Sequence, residues 1–407
     1  MLKKIRQALA WISIILVTLL FVDFTGVAPR WWGWMAKIQF LPAVLSLNFA
    51  VIAGLILLTL LFGRIYCSVI CPLGIMQDGF AALGRKAHKN RYKYTPARNV
   101  LRYVMLIFMV AALAFGAISI ASLIAPYSAF GRIVRSFLAP VWQWGNNMLA
   151  AFAESHDSYA FYAVHTWHPN WYIITIAGVT LVVLGVLAWR GGRTYCNTIC
   201  PVGTVLGFFS RFSWLRPVID VSKCNGCGLC ARNCKSACID SKNHEIDYSR
   251  CVTCFDCIGS CHKGAISYSH PKKVASSKAI TTDASGRRGF MTATAALLAT
   301  ATIDAQKVKV DGGLAKIIDK EAPRRKTSIV PAGAESLRNL SRRCIGCQLC
   351  ISACPNEVLR PSTALDSLMQ PRASYERGYC RPECTRCSDV CPTGAIKPID
   401  EAEKSSI

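Results

Sequence analysis

The first half of the chain alternates long apolar runs with short basic stretches. Four runs, at residues 8–24, 45–63, 101–124 and 171–189, approach the roughly 20 residues a helix needs to cross a bilayer core of about 30 Å. The first is somewhat short and is interrupted by Asp23. Buried helices of a soluble domain do not account for them, because so many apolar runs in one half would leave little polar surface. A mean hydropathy of +0.32 agrees. The pattern predicts an α-helical polytopic membrane domain over residues 1–216, with four spans. Beyond it the apolar runs shorten and cysteines multiply, as expected of two α+β ferredoxin modules of the bacterial dicluster type at 217–271 and 305–407. Residues 272–304 join them through a polar linker and an apolar run that Arg287, Arg288, Gly289, Phe290 and Met291 open. That run, about 12 residues and about 18 Å as a helix, is too short to span a bilayer. It suits the apolar region of an export signal, and the paired arginines suit the twin-arginine class. An arginine pair before an ordinary amphipathic helix is the other reading.

Charge changes this picture only in its topology. The net charge of +24 would suggest nucleic acid if read alone, but the basic residues follow the spans. Lys3, Lys4 and Arg6 precede the first span; Arg64, Arg85, Lys86, Lys89, Arg91, Lys93, Arg98 and Arg102 lie between the second and third; Arg190, Arg193, Arg211 and Arg216 follow the fourth. The two opposite loops hold only Arg30 and Lys37, and Arg132 and Arg135. Both ends of the four-span unit are therefore expected in the cytoplasm of a bacterial cell, in its inner membrane, and no nucleic-acid partner is expected. Trp31, Trp32, Trp34, Trp142, Trp144, Trp167 and Trp171 suit the opposite interface.

Sixteen of the 21 cysteines fall in four runs of ferredoxin spacing: Cys224, Cys227, Cys230, Cys234; Cys251, Cys254, Cys257, Cys261; Cys344, Cys347, Cys350, Cys354; and Cys380, Cys384, Cys387, Cys391. In the bacterial two-cluster pattern the fourth cysteine of each run serves the other cluster. The expected ligand sets are thus Cys224, Cys227, Cys230 with Cys261; Cys251, Cys254, Cys257 with Cys234; Cys344, Cys347, Cys350 with Cys391; and Cys380, Cys384, Cys387 with Cys354. Four [4Fe-4S] clusters follow. A disulfide framework belongs to small secreted chains, and a zinc ribbon needs fewer cysteines. Pro355 and Pro392 follow the last cysteines of the distal module, whereas Lys235 and His262 stand there in the proximal one, and three residues rather than two separate Cys380 from Cys384.

The membrane half also repeats itself. Gly63, Arg64, Tyr66, Cys67, Ile70, Cys71, Pro72 and Gly74 recur in order and spacing as Gly192, Arg193, Tyr195, Cys196, Ile199, Cys200, Pro201 and Gly203. Duplicated hairpins would bring Cys67, Cys71, Cys196 and Cys200 together at the membrane surface, as ligands of a further iron centre, as a redox disulfide, or as buried small side chains. Cys238 reads as a structural residue beside the proximal module.

The paired Cys-x3-Cys-Pro motifs, the four spans and the following ferredoxin resemble the NapH type of membrane quinol dehydrogenase component, found in periplasmic nitrate reductase systems, and are similar to the membrane core of NosR. From Arg287 onward the twin arginines and the proline-terminated cluster runs resemble the exported NapG ferredoxins, as though the two had been fused. Neither flavin nor covalent haem is expected, since no flavin-bearing domain has a counterpart and no Cys-x2-Cys-His occurs. The resemblance implies that quinol from the membrane pool is oxidised and that electrons pass to a periplasmic reductase or cytochrome, with the distal module in the periplasm. Proton release calls for a base near the headgroup. His156, His165 and His168 are the candidates, ahead of Asp23, Glu154 and Asp157. A redox assembly or metal-reducing factor and a noncatalytic redox sensor are the alternatives.

Overall fold

A computed structural model describes residues 1–88, 92–158, 160–165, 170–270, 328–376 and 378–405. The expected linker and twin-arginine segment, the start of the last domain, Trp167 and His168 lie outside the described residues.

Helix α1 (Leu2–Val22) contains no glycine or proline in its 21 residues, so no backbone bond is lost along a length of about 31 Å. Helix α2 (Phe49–Phe62) is shorter than its apolar run, because Leu47 adopts a φ of 57° and Asn48 caps the helix, accepting from the Val51 amide at 3.2 Å. Helix α3 (Pro72–His88) starts at a proline, whose missing N–H costs nothing there. Helix α4 (Asn99–Ala114) stops short of the predicted span, since Gly116, at φ 77°, turns the chain before a short helix at Ile118–Ile124. Helix α5 (Pro126–Ile133) is buried along its whole length and runs through a π-helical turn, Val134–Leu138, into α6 (Ala139–Glu154). Helix α7 (Trp171–Gly191) has 21 residues and α8 (Pro201–Phe209) again begins at proline.

Among the described residues α1 and α7 are long and apolar enough to cross a membrane, while α2 and α4, with 14 and 16 residues, are not by length alone. All four expose apolar side chains, among them Ile12, Ile15, Leu57, Val104, Ile107, Val179 and Val182.

The repeat shows in the caps as well as in the motif. Asn170 caps α7 as Asn48 caps α2, accepting from the Tyr172 amide at 3.3 Å. Both helices end at a glycine with positive φ, Gly63 at 73° and Gly192 at 65°. A Cβ at Gly192 would stand 2.3 Å from the Lys235 carbonyl oxygen, and one at Gly63 would stand 2.8 Å from Thr253 Oγ1. Glycine is required at both so that the proximal ferredoxin module can seat against them.

That module is framed by two antiparallel pairs: β1 (Arg216–Ile219), β2 (Ile239–Asp240), β3 (Glu245–Ile246) and β4 (Ile266–Ser269) join as β1 with β4 and β2 with β3. The distal module carries one antiparallel pair, β5 (Leu359–Pro361) with β6 (Pro371–Ala373). The modules meet opposite ends of α1. Lys3 pairs with Asp256 of the proximal module at 2.9 Å. At the other end Phe21 and the Cys347 carbonyl both crowd Gly131, where a Cβ would lie 2.8 and 2.4 Å from them, and Ser128 donates to the Ile345 carbonyl at 2.6 Å.

Candidate metal centres

Each cysteine loop is bent by residues in the left-handed region. In the first three runs they stand two and four places after the first cysteine: Gly226 and Gly228, Thr253 and Phe255, Gly346 and Gln348. Three places after the last cysteine of every run comes another: Ala237, Gly264, Glu357 and Gly394. Left-handed turns point successive amides inward, and a β-branched Thr253 at φ 50° keeps that strained shape only where its surroundings enforce it. Some amides already reach sulfur, Ala265 to Cys261 at 3.3 Å and Ile396 to Cys391 at 3.4 Å. The fourth run, with its wider first gap, has no such pair between Cys380 and Cys387.

The loops gather the thiols in crossed sets. One cavity is lined by Cys224, Cys227, Cys230 and Cys261, a second by Cys234, Cys251, Cys254 and Cys257, and a third by Cys344, Cys347, Cys350 and Cys391. Cys387 lies close enough to Cys354, Cys380 and Cys384 to feel their charge. Four thiols on inward-turned amide loops are the donor set and cradle that a [4Fe-4S] cluster requires. Burial pushes the Cys254, Cys347 and Cys387 thiols up to about 12, so each would hold its proton at neutral pH until a metal displaced it.

Cys238 is not simply beside the proximal module. It is buried, lines the same cavity as Cys234 and Cys251, and its Sγ lies 3.5 Å from that of Cys234. Ala265, Val358 and Ala395 hold the corresponding position in the other three runs. Spacing alone hid it, because it falls four residues after a run that is already complete.

A separate group of four cysteines adjoins the proximal module, through Arg64 to the Ser249 carbonyl and Asn197 to the Ser236 carbonyl. Cys67, Cys71, Cys196 and Cys200 are all buried just beyond the ends of α2 and α7, and their thiols act on one another electrostatically. Burial first, and then these neighbours, raise the pKa of Cys71 and of Cys200. The duplicated arginines cross between halves: Arg64 Nη2 donates to the Cys196 carbonyl at 3.3 Å and Arg193 Nη1 to the Cys67 carbonyl at 2.6 Å. Gly74 and Gly203 make room, since a Cβ there would stand 2.3 Å from the Cys67 oxygen and 2.2 Å from the Cys196 oxygen. Beside this site Asp78 binds Arg6 at 3.1 Å, Arg193 at 2.7 Å and Lys235 at 3.2 Å, and Lys235 continues to Asp256 at 3.1 Å. Burial opposes ionisation of Asp78, yet Arg193, Lys235 and Arg6 together hold its carboxyl well below the usual range.

Two of the three histidine candidates, His156 and His165, fall within the described residues. His156 is exposed, its Nδ1 3.0 Å from Ser155 Oγ, while His165, also exposed, pairs with Glu357 of the distal module at 3.1 Å. Asp23 accepts the Thr25 and Ala28 amides, each at 2.8 Å, and so serves the turn after α1; Glu154 and Asp157 are exposed. What sequence reasoning missed is the buried polar set around the π-helical turn. Among the described residues Tyr127 OH, Ser136 Oγ and Gln143 Oε1 are buried with no hydrogen-bond partner, and Arg132 is fully buried against the Ser122 and Leu123 carbonyls. Two arginines in an otherwise apolar stretch were the available signal.

The family described as 4Fe-4S binding domain matches residues 46–90 and 167–221, the two halves of the repeat, and the family described as 4Fe-4S dicluster domain matches residues 343–396, within the distal module. The ferredoxin-type protein NapH of Escherichia coli is 26% identical over 229 residues, 54% of this chain and 67% of NapH. The chain is a relative of the NapH and NosR proteins. The regulatory protein NosR of Stutzerimonas stutzeri is 25% identical over 206 residues, 49% of this chain but 23% of NosR. The methylamine utilization ferredoxin-type protein MauN of Paracoccus denitrificans is 25% identical over 186 residues, 46% of this chain and 52% of MauN. No solved structure matches. With two 4Fe-4S families matched and NapH-type relatives, the chain is an iron-sulfur electron-transfer protein.

Proposed function

We propose that the chain is a four-span quinol dehydrogenase of the bacterial inner membrane, passing electrons to a periplasmic reductase, with a nitrate-type system favoured by the NapH likeness. The observation that carries this reading is the seating of one ferredoxin module at each end of α1, by Lys3 with Asp256 and by Phe21 and Gly131 against Cys347. The short helices α2 and α4 complete the four spans if flanking residues and local thinning make up their length. The proximal module lies on the cytoplasmic side with the basic loops, and the distal module, beyond the twin-arginine segment at Arg287 and Arg288, lies outside.

The sixteen cysteines, in the crossed sets given above, hold four clusters. When bound, [4Fe-4S] clusters supply one-electron carriers, which accept singly the two electrons a quinol gives up. The two protons that leave with them need acceptors near the headgroup. His165, hydrogen-bonded to Glu357, stands at the distal-module end, and His156 and His168 lie nine and three residues from it in the sequence. Tyr127, Ser136 and Gln143, whose buried polar atoms lack partners among the described residues, add headgroup contacts at that same end of the helices.

Menaquinol added anaerobically to the purified protein is expected to produce the electron paramagnetic resonance signals of reduced clusters, in a preparation holding about sixteen irons per chain. Clusters that stayed oxidised with menaquinol, while a low-potential soluble donor reduced them, would sink the quinol reading and favour a redox assembly or metal-reducing factor.

A further inference from the structure

We propose that Arg64 and Arg102 are the fixed counter-charge of the cluster held by Cys234, Cys251, Cys254 and Cys257, and that they raise its reduction potential.

The first ground is an excess of buried cations. Arg64 and Arg102 are both buried, and among the described residues neither has a carboxylate within ion-pair distance. Both donate to Ser249: Arg64 Nη1 to its carbonyl at 3.0 Å, Arg102 Nη1 to its hydroxyl at 3.0 Å and Arg102 Nη2 to its carbonyl at 3.2 Å. Asp247, close enough to act on Arg102, is already engaged. Its Oδ1 accepts the Ser249 amide and hydroxyl at 3.0 and 2.6 Å, and its Oδ2 pairs with Arg250 Nε at 2.7 Å. A buried cation left with neutral partners is strongly unfavourable. A cubane on four thiolates is anionic, and the electron it accepts adds a further negative charge.

The second ground is where that charge is held. Ser249 stands two residues before Cys251, and Arg64 lies close enough to Cys251 to act on its charge. Arg64 Nη1 also donates to Asn197 Oδ1 at 3.0 Å, and Asn197 Nδ2 donates at 3.3 Å to the carbonyl of Ser236, two residues after Cys234. Cys234 and Cys251 belong to different runs but line one cavity. Arg64 is therefore tied to both segments that supply ligands to the same cluster. Its duplicate Arg193 instead pairs with Asp78 at 2.7 Å. The neighbouring cavity has no such arrangement: Cys227 is exposed, and Arg232 donates to the Cys227 carbonyl at 3.0 Å in an exposed contact that water screens.

In surroundings of low dielectric constant, a fixed cation stabilises the reduced cluster more than the oxidised one, because the reduced form carries the larger negative charge. The electron can then enter without a proton, since the compensating charge is already in place.

The proposal rests on the iron-sulfur reading of the modules and not on quinol as donor, so dithionite serves as the reductant. In the purified full chain, a dithionite titration followed by electron paramagnetic resonance reads each cluster, and the signal missing from Cys254→Ala marks the one concerned. Arg64→Met and Arg102→Met should each keep about sixteen irons per chain. Each should lower the equilibrium constant for reducing that cluster by about tenfold or more, about 59 mV for one electron. Arg64→Lys and Arg102→Lys, which keep the charge on a different geometry, should recover most of the loss, and Arg232→Met should leave that cluster's potential unchanged. Met variants that lose about four irons while the Lys variants keep them also support the proposal, since charge then decides whether the anion is held. An unchanged potential in iron-replete Met variants overturns it, as does an equal fall in potential, or equal loss of iron, in the Lys variants. A wild-type chain without iron would overturn the iron-sulfur reading, and this proposal with it.

Discussion

A thiol that keeps its proton beside a metal-bound thiolate donates to it and disperses its negative charge, which eases reduction of the centre. Cys238 is so placed against Cys234. Cys238→Ala, which installs the residue found at the corresponding Ala265 and Ala395, is expected to leave iron content unchanged and to lower the midpoint potential of one cluster, read by a redox titration followed by electron paramagnetic resonance. Loss of about four irons would make Cys238 a ligand instead. Asp78 makes the second prediction at this scale. With Arg6, Arg193 and Lys235 around one carboxylate, Asp78→Asn should destabilise the helical unit by about 3–5 kcal/mol at neutral pH. The folded pKa is depressed, so the stabilisation is complete above the unfolded value of about 3.9 and fades as pH falls toward the folded value. The gap in Tm between wild type and variant should therefore close only in strong acid. The cysteines and the duplicated arginines were visible in the chain as spacing. The approach of Cys238 to Cys234, and the crossing of each arginine to the other half, were not, because both are contacts between segments whose packing no local pattern encodes.

At the scale of elements, the two halves of the repeat use the same devices: an asparagine cap, a helix, a glycine of positive φ, a short helix with the first cysteine, the second cysteine just beyond it, and a proline that opens the next helix. The glycines separate two kinds of constraint. Gly192→Ala meets both a left-handed φ and a carbonyl at 2.3 Å, so it should cost more than the about 1–2 kcal/mol of strain alone and should expose residues 217–270 to limited proteolysis. Gly226→Ala has the same sign of φ but nothing within 4 Å, and should show only the strain. Apolar runs predicted where helices lie but overstated two of them. Leu47 starts α2 late and Gly116 ends α4 early through backbone conformation, and hydropathy is blind to that. The π-helical turn at Val134–Leu138 was equally illegible, since buried Arg132, Ser136 and Gln143 recur at spacings that an ordinary helical face would also give.

For the whole molecule, the arrangement of modules makes a topological prediction. A reporter fused after Ile407 should be active outside the cytoplasm, and one inserted near Lys242, in the exposed turn between β2 and β3, should be active inside; both on one side would remove transmembrane delivery. The same arrangement turns α1 into a ruler. Its first turn is bound to one module through Lys3 and its last packs Phe21 under the other, with no break between. Inserting a single alanine at its centre would rotate one end relative to the other by about 100° and lengthen it by about 1.5 Å, so Lys3 and Phe21 would no longer reach their partners together. Inserting four, nearly a full turn, would restore the facing but overshoot by about 6 Å. The phase and the length of one helix thus jointly set the tolerance for insertions, and neither kind should leave both ends docked.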